Sequence, residues 1–184
     1  MPPLALPDPP LSDGIVALRR WTAADLPAIV EACQDPEIPR WTLVPSPYSE
    51  ADARAYLKRV ADGWDADAQA TFAVVDAADH SALRGAAGLH AIEWDLRVAD
   101  VGYWVAAPAR GRGVATRAVE LLAGWAFGSL GLERLDLRAD EHNTASHAVA
   151  RRAGFAPTDA PVVHRPECDH MPDIFFARLR GGSH

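Results

Sequence analysis

Arg110-Gly111-Arg112-Gly113 is the stretch of this 184-residue chain whose residue types and spacing point most directly to chemistry. It follows an apolar run, 101–105, and a turn containing Pro108. Downstream, residues 114–130 carry apolar side chains at Val114, Ala118, Leu121, Leu122 and Trp125, an approximate helical spacing. The reading is strand, turn, helix, with the glycines at the helix's first turn. Backbone N–H groups at such a turn have no intrahelical acceptor. Together with the helix dipole they attract an anion, and Gly111 and Gly113 let it approach the backbone closely. Arg110, Arg112 and Arg117 add three cations within eight residues, with no acid among them. The chemistry this suits is the holding of a phosphate.

Three phosphate ligands compete for the loop. Gly111-x-Gly113 fits the start of a dinucleotide fingerprint, with Asp136 roughly 20 residues on as the ribose acid. Against it, the third glycine position is Thr116 and the loop falls in mid-chain. A Walker A loop needs a lysine beside Ser or Thr, and the chain's one lysine is Lys58. The spacing Arg110-x-x-Gly113-x-Ala115 instead resembles the acyl-CoA pyrophosphate loop, (Gln/Arg)-x-x-Gly-x-(Gly/Ala), of the GNAT acetyltransferases. The resemblance runs on either side. The stretch 87–119 is similar to the third and fourth strands and main helix of that fold. The stretch 134–155, with Asn143-x-x-Ser146 and Gly154-Phe155, is similar to its fifth strand and following helix. That signature, and Gly102-Tyr103-Trp104 on the fourth strand, resemble the branch containing the bacterial ribosomal-protein N-terminal acetyltransferases.

What the resemblance implies is an N-acetyltransferase in which an amine attacks acetyl-CoA directly, with no acyl-enzyme and no metal. The pantetheine arm would enter as a pseudo-strand between splayed fourth and fifth strands. The pyrophosphate would rest on Arg110, Gly111, Arg112, Gly113, Val114, Ala115 and Thr116, with Trp104 and Val105 beside the cofactor. A backbone N–H near Val105 would meet the oxyanion. Asn143 would bond the pantetheine. Ser146 would protonate or hydrogen-bond the leaving thiolate, because the tyrosine many relatives carry seven residues beyond the Asn is Ala150 here. Both also read simply as a helix N-cap and its N3 residue. The acceptor must lose a proton, and Glu93, Asp100 and Glu141 are the candidate bases. Asp100 is favoured because relatives often carry an acid before Gly-Tyr-Trp. Trp41, Tyr48 and Tyr103 are candidates for the acceptor pocket, and the first two serve equally as helix packing. The acceptor is a protein N-terminal α-amine on this resemblance, or else a small amine such as an amino acid, polyamine or aminoglycoside. A CoA-binding sensor without turnover stays open, with the missing tyrosine in its favour. Homodimers are common in the branch, so a dimer is open too.

The elements that position these residues fit one α/β (α+β) domain over 14–180, with a mixed, mostly antiparallel twisted sheet and helices on both faces. Residues 1–13 hold five prolines and read as a flexible arm; 181–184 read as a tail. Residues 15–20 read as the first strand. Thr22 with Asp25 and Ser49 with Asp52 read as capping boxes for helices over 23–33 and 50–64, with a proline-rich segment, 35–47, between them. Residues 71–75 and 83–94 read as strands.

Composition narrows the partners. Hydrophobic content of 49% and charged content of 23% are those of an ordinary globular protein. A net charge of −7 argues against nucleic acid. No run approaches the ~18 apolar residues of a membrane span, and no signal pattern is present, so the expectation is cytoplasmic. Cys33 and Cys168 imply no disulfide framework. His164, Glu167, Cys168, Asp169 and His170 fit no structural zinc spacing and read as a late loop beside the acceptor. His142 and His147 read as exposed.

Overall fold

The computed structural model describes residues 4–159 and 173–181. Among the described residues five α-helices and eight strands form one α/β unit: α1 Leu26–Ala32, α2 Glu37–Trp41, α3 Glu50–Asp65, α4 Val114–Gly128 and α5 Thr144–Arg152. The strands are β1 Leu11–Ser12, β2 Val16–Arg19, β3 Ala70–Asp76, β4 Leu83–Glu93, β5 Val98–Val105, β6 Arg134–Asp140, β7 Ala156–Thr158 and β8 Asp173–Leu179. They make one sheet in the order β1-β2-β3-β4-β5-β6-β8-β7. Every neighbouring pair is antiparallel except β5 with β6.

Local chemistry sets the helix starts. The Asp52 amide donates to Ser49 Oγ at 3.2 Å, and the Ser49 amide donates to the Asp52 carboxylate at 2.8 Å. Two otherwise orphan donors are thereby satisfied at the head of α3. The Thr22 amide likewise donates to Asp25 at 2.8 Å. There the chain first makes a 3-10 turn, Ala23–Asp25, and only then α1, so the helix expected over 23–33 is divided. Arg19 holds the Asp25 carboxylate at 2.6 Å, fixing this turn against the end of β2. Within the proline-rich stretch, α2 is a helix the sequence pattern did not reveal. Its Pro39 sits in the first turn, where no intrahelical donor is lost.

The sheet's alternation divides the core. Val16, Leu18, Phe72, Val74, Leu89, Ala99, Val101, Leu135 and Leu137 point to the face covered by α4, where Trp125 makes an edge contact with Phe72 at 5.5 Å. Ala17, Ala73 and Val75 point to the opposite face, where α1, α2 and α3 bury Ile29, Cys33, Ile38, Tyr48 and Ala53. The sheet starts inside the stretch read as an arm. Leu11 and Ser12 pair with Leu18 and Ala17, and the Leu4 amide donates to Asp67. The proline content of 1–13 conceals this, because only two residues supply the ladder.

What positions the site is the end of the parallel pair. Register between β5 and β6 runs from Val98↔Arg134 to Val101↔Leu137 and stops. Beyond it β5 stays on β4 as far as Gly85↔Val105, and β6 stays on β8 as far as Asp140↔Asp173. The two strands diverge into a wedge. The Ala106 amide donates to Arg84 O at 2.9 Å, so by antiparallel alternation the N–H and C=O of Tyr103 and Val105 face away from β4 and into the wedge.

Candidate active site

A cavity of about 400 Å³ opens on this wedge. The end of β5 forms one wall, the loop into α4 another, the first turns of α5 a third, and α2 the fourth. It brings together Trp41, Tyr103, Trp104, Val105, Arg110, Gly111, Gly113, Val114, Ala115, Thr116, Asn143 and Ser146, and so unites residues drawn from four separate parts of the chain. Arg112, Tyr48 and Asp100 do not line it.

The loop has the form an anion needs. Gly113 is the N-cap of α4 with φ 75° and ψ 8°, and Gly111 has φ 72°, a left-handed backbone that disfavours side chains. The Arg117 amide donates to Gly113 O at 3.0 Å. The N–H groups of Val114, Ala115 and Thr116 therefore precede the helical ladder, and these residues line the cavity. The arginines expected to add positive charge are mostly used elsewhere. Arg117 donates to Asp13 at 2.6 Å, and Asp13 also accepts the amides of Ile15 and Val16 at the β1–β2 turn. Arg110 is ion-paired with Asp35 and donates through Nε to Val105 O at 3.1 Å. Arg112 is exposed. The cation that sequence reading missed is Arg152, in the last turn of α5, which lines the cavity. Its signal was available: Ala145, Ala148, Val149 and Arg152 share one helical face.

Asn143 is the N-cap of α5, its side-chain oxygen accepting the Ser146 amide at 3.0 Å. This fixes Ser146 at the cavity edge, where its Oγ meets the Tyr103 hydroxyl at 3.0 Å. Tyr103, expected to contact the acceptor, thus reaches across the wedge to Ser146. Burial pushes its phenol up to about 12, opposed by the Ser146 hydrogen bond, so it keeps its proton through the working pH range. Ala150, where many relatives carry tyrosine, is fully buried in the main core. The alternation of β5 marks this role for Tyr103, since it shares the α4-facing side with Val101 while Trp104 packs toward α1–α3.

The expected bases are placed elsewhere. Asp100 lies in the paired part of the sheet, opposite His90 on β4 and Asp136 on β6. Glu93 is exposed at the end of β4, and Glu141 is exposed beside His142. Among the described residues the carboxylate on the cavity wall is Glu37 of α2. It accepts from Trp41 Nε1 at 3.1 Å and from Arg40 at 3.2 Å, which hold its carboxyl below the usual range. Tyr48 is buried in the α1–α3 core, with its phenol pushed up to about 12 by burial. Trp41 does line the cavity. Asp136, the ribose acid of the dinucleotide reading, is buried in the sheet against Arg134 at 2.6 Å, away from the loop. His147, expected to be exposed, is buried, its ring against Phe176 and Nε2 at 3.0 Å from Asp140 O. The reason is that its position on α5 faces the sheet. Residues 164–170 lie outside the described residues.

A profile of the acetyltransferase (GNAT) domain matches residues 16–156, which includes the wedge, the loop and α5. The chain belongs to the GNAT acetyltransferase family. With the family comes its reaction class, acyl transfer from acetyl-CoA. YdaF of Bacillus subtilis (strain 168), a candidate ribosomal N-acetyltransferase by its name, is 38% identical over 73 residues, a stretch spanning 40% of either chain. Among the solved structures that share the fold are two ribosomal-protein acetyltransferases. The ribosomal α-N-protein acetyltransferase RimL in complex with coenzyme A has a TM-score of 0.78 at 19% identity, covering 92% of this chain and 96% of that one. A ribosomal-protein alanine acetyltransferase from Vibrio fischeri has a TM-score of 0.77 at 18% identity, covering 94% and 97%.

Proposed function

We propose that this GNAT protein acetylates the α-amine of a protein or peptide N-terminus. The observation that carries the reading is the chemistry of the cavity wall. Among the described residues its one carboxylate, Glu37, has a lowered proton affinity, which makes it a weak base. The acceptor best suited to such a wall is one that supplies its own neutral nitrogen. At pH 7 roughly a tenth of an α-amine with pKa about 8 is neutral, against a few in ten thousand of an alkylamine with pKa about 10.4. The names of YdaF and of the ribosomal-protein enzymes that share the fold support the same acceptor class.

In the reaction, the neutral amine nitrogen attacks the thioester carbonyl carbon. The oxygen takes the electron pair and is met by the Val105 N–H, which faces the wedge. The C–S bond then breaks and the nitrogen loses a proton to water. Ser146, accepting from Tyr103, turns its own hydroxyl hydrogen to the departing thiolate. Glu37, an anion beside Trp41, attracts a protonated amine terminus as it arrives.

The test offers peptides with free Ala or Ser N-termini, the same peptides blocked at the α-amine but containing lysine, and spermidine. Product is identified by mass, and kcat/KM is followed against pH. The expected result is modification of the free N-terminus alone, with kcat/KM rising and levelling near pH ~8. Acetylation of spermidine, with a rise continuing toward pH ~10, would replace the peptide reading by a small-amine one. Acetyl-CoA binding with no transfer to any amine would favour a sensor.

A further inference from the structure

The arginine at the head of the phosphate loop lines the cavity, but its guanidinium is engaged by protein partners. The Arg110 guanidinium makes an ion pair with Asp35, and its Nε donates to Val105 O at 3.1 Å. Asp35 is the residue that starts α2: its Oδ1 accepts the Glu37 amide at 3.1 Å, and its carbonyl accepts the Ile38 amide at 3.1 Å. Arg110 also lies close enough to Glu37 for its charge to stabilise that carboxylate. One side chain thus joins the end of β5, the phosphate loop and α2. Through Glu37, Ile38, Trp41 and Thr42, α2 supplies the wall of the cavity opposite α5.

A five-residue helix between two proline-containing turns has little stability of its own. Something outside it must hold it over the wedge. Asp35 is mostly buried, with 18% of its side chain exposed, and the charge it brings there is met by Arg110. The planar fork of an arginine suits this task, because it can face a carboxylate and a carbonyl at once. We infer that Arg110 is a positioning residue for the acceptor wall, strapping α2 across the cavity through Asp35 and Val105 O, and that the backbone amides of 114–116 carry the pyrophosphate without its side chain. The inference rests on the acetyl-transfer reading for its kinetic consequence, but the strap itself is testable without turnover.

Two variants separate a strap from a phosphate ligand. Arg110→Lys keeps a cation for phosphates but loses the fork. Asp35→Asn keeps the oxygen that starts α2 but loses the charge that holds Arg110. Amide hydrogen exchange of residues 37–42, the acetyl-CoA Kd by calorimetry, and the acceptor KM are measured on the full chain. The strap requires about tenfold faster exchange over 37–42 in both variants, with melting temperature nearly unchanged. It also requires an acceptor KM raised about fivefold or more, and an acetyl-CoA Kd within about threefold of wild type. Wild-type exchange over 37–42 or unaltered KM in Arg110→Lys would overturn it. So would an acetyl-CoA Kd tightened about tenfold in Asp35→Asn, since that is what freeing Arg110 for the phosphates would give. If wild type transfers acetyl to no amine, the acceptor reading fails, while exchange and Kd still decide the strap.

Discussion

Replacing Gly113 by Asp separates the phosphate-binding loop from the fold that carries it. A carboxylate at the N-cap of α4 would stand beside the amides of Val114, Ala115 and Thr116, where a pyrophosphate would lie. At ~5 Å and an effective dielectric constant of about 20, two unit charges repel by about 3 kcal/mol, which is roughly a 200-fold loss of affinity. Salt screening lowers this, so acetyl-CoA Kd should rise about 30- to 200-fold near physiological ionic strength, and more in dilute buffer. Stability should change far less. A Cβ at Gly113 meets Arg117 Nε at 3.9 Å, ordinary van der Waals contact, so no packing is broken. What remains is the left-handed backbone at φ 75°, a strain of about 1 kcal/mol for a side chain. In a chain of this size that lowers Tm by about 2–4 °C. Gly113→Ala supplies the control, with the same strain and no charge. Calorimetric titration with acetyl-CoA and a thermal melt are run on all three proteins. If Gly113→Asp binds acetyl-CoA within about threefold of Gly113→Ala, the anion-site reasoning is refuted.

Three further outcomes follow from the same geometry. Tyr103→Phe should lower kcat about 10- to 100-fold with acetyl-CoA Kd unchanged, and combining it with Ser146→Ala should add little, because the two hydroxyls act as one unit; full additivity in kcat would separate them. Ser49→Ala removes the cap of α3 and should cost about 1 kcal/mol, read as a Tm lower by ~2–4 °C with activity retained. Asp25 has its folded-state pKa lowered, since Arg19 and the Thr22 amide outweigh the opposing effect of burial. A depressed carboxyl contributes stability above its unfolded pKa, about 3.9, and loses it as pH falls through the folded value. Asp25→Asn should therefore be less stable at neutral pH and show a shallower acid decline in urea unfolding from pH ~5 downward, through and below ~3.9.

The sequence by itself determined much of this protein, and the reasons are local. Glycines at a helix start, the Ser49–Asp52 and Thr22–Asp25 pairs, and the alternation of 98–105 act within a few residues of themselves. The family's loop and Asn/Ser spacing could therefore be read in a line of letters. So could the resemblance they carry. Tertiary structure decided what each charged or hydroxyl group faces. Arg117 turns to Asp13 across 104 positions of sequence, and Arg110 turns to Asp35. Neither pairing is visible in a cluster of arginines, since an ion pair depends on distance in space. Asp100 looked like a base because of its place in a motif, but the register places it between His90 and Asp136, where the sheet is closed. Tyr103 and Ser146 are 43 residues apart and meet because β5 and β6 stop pairing at Val101 and Leu137. That stopping point follows from each strand keeping its other neighbour, β4 or β8, and no local pattern records it.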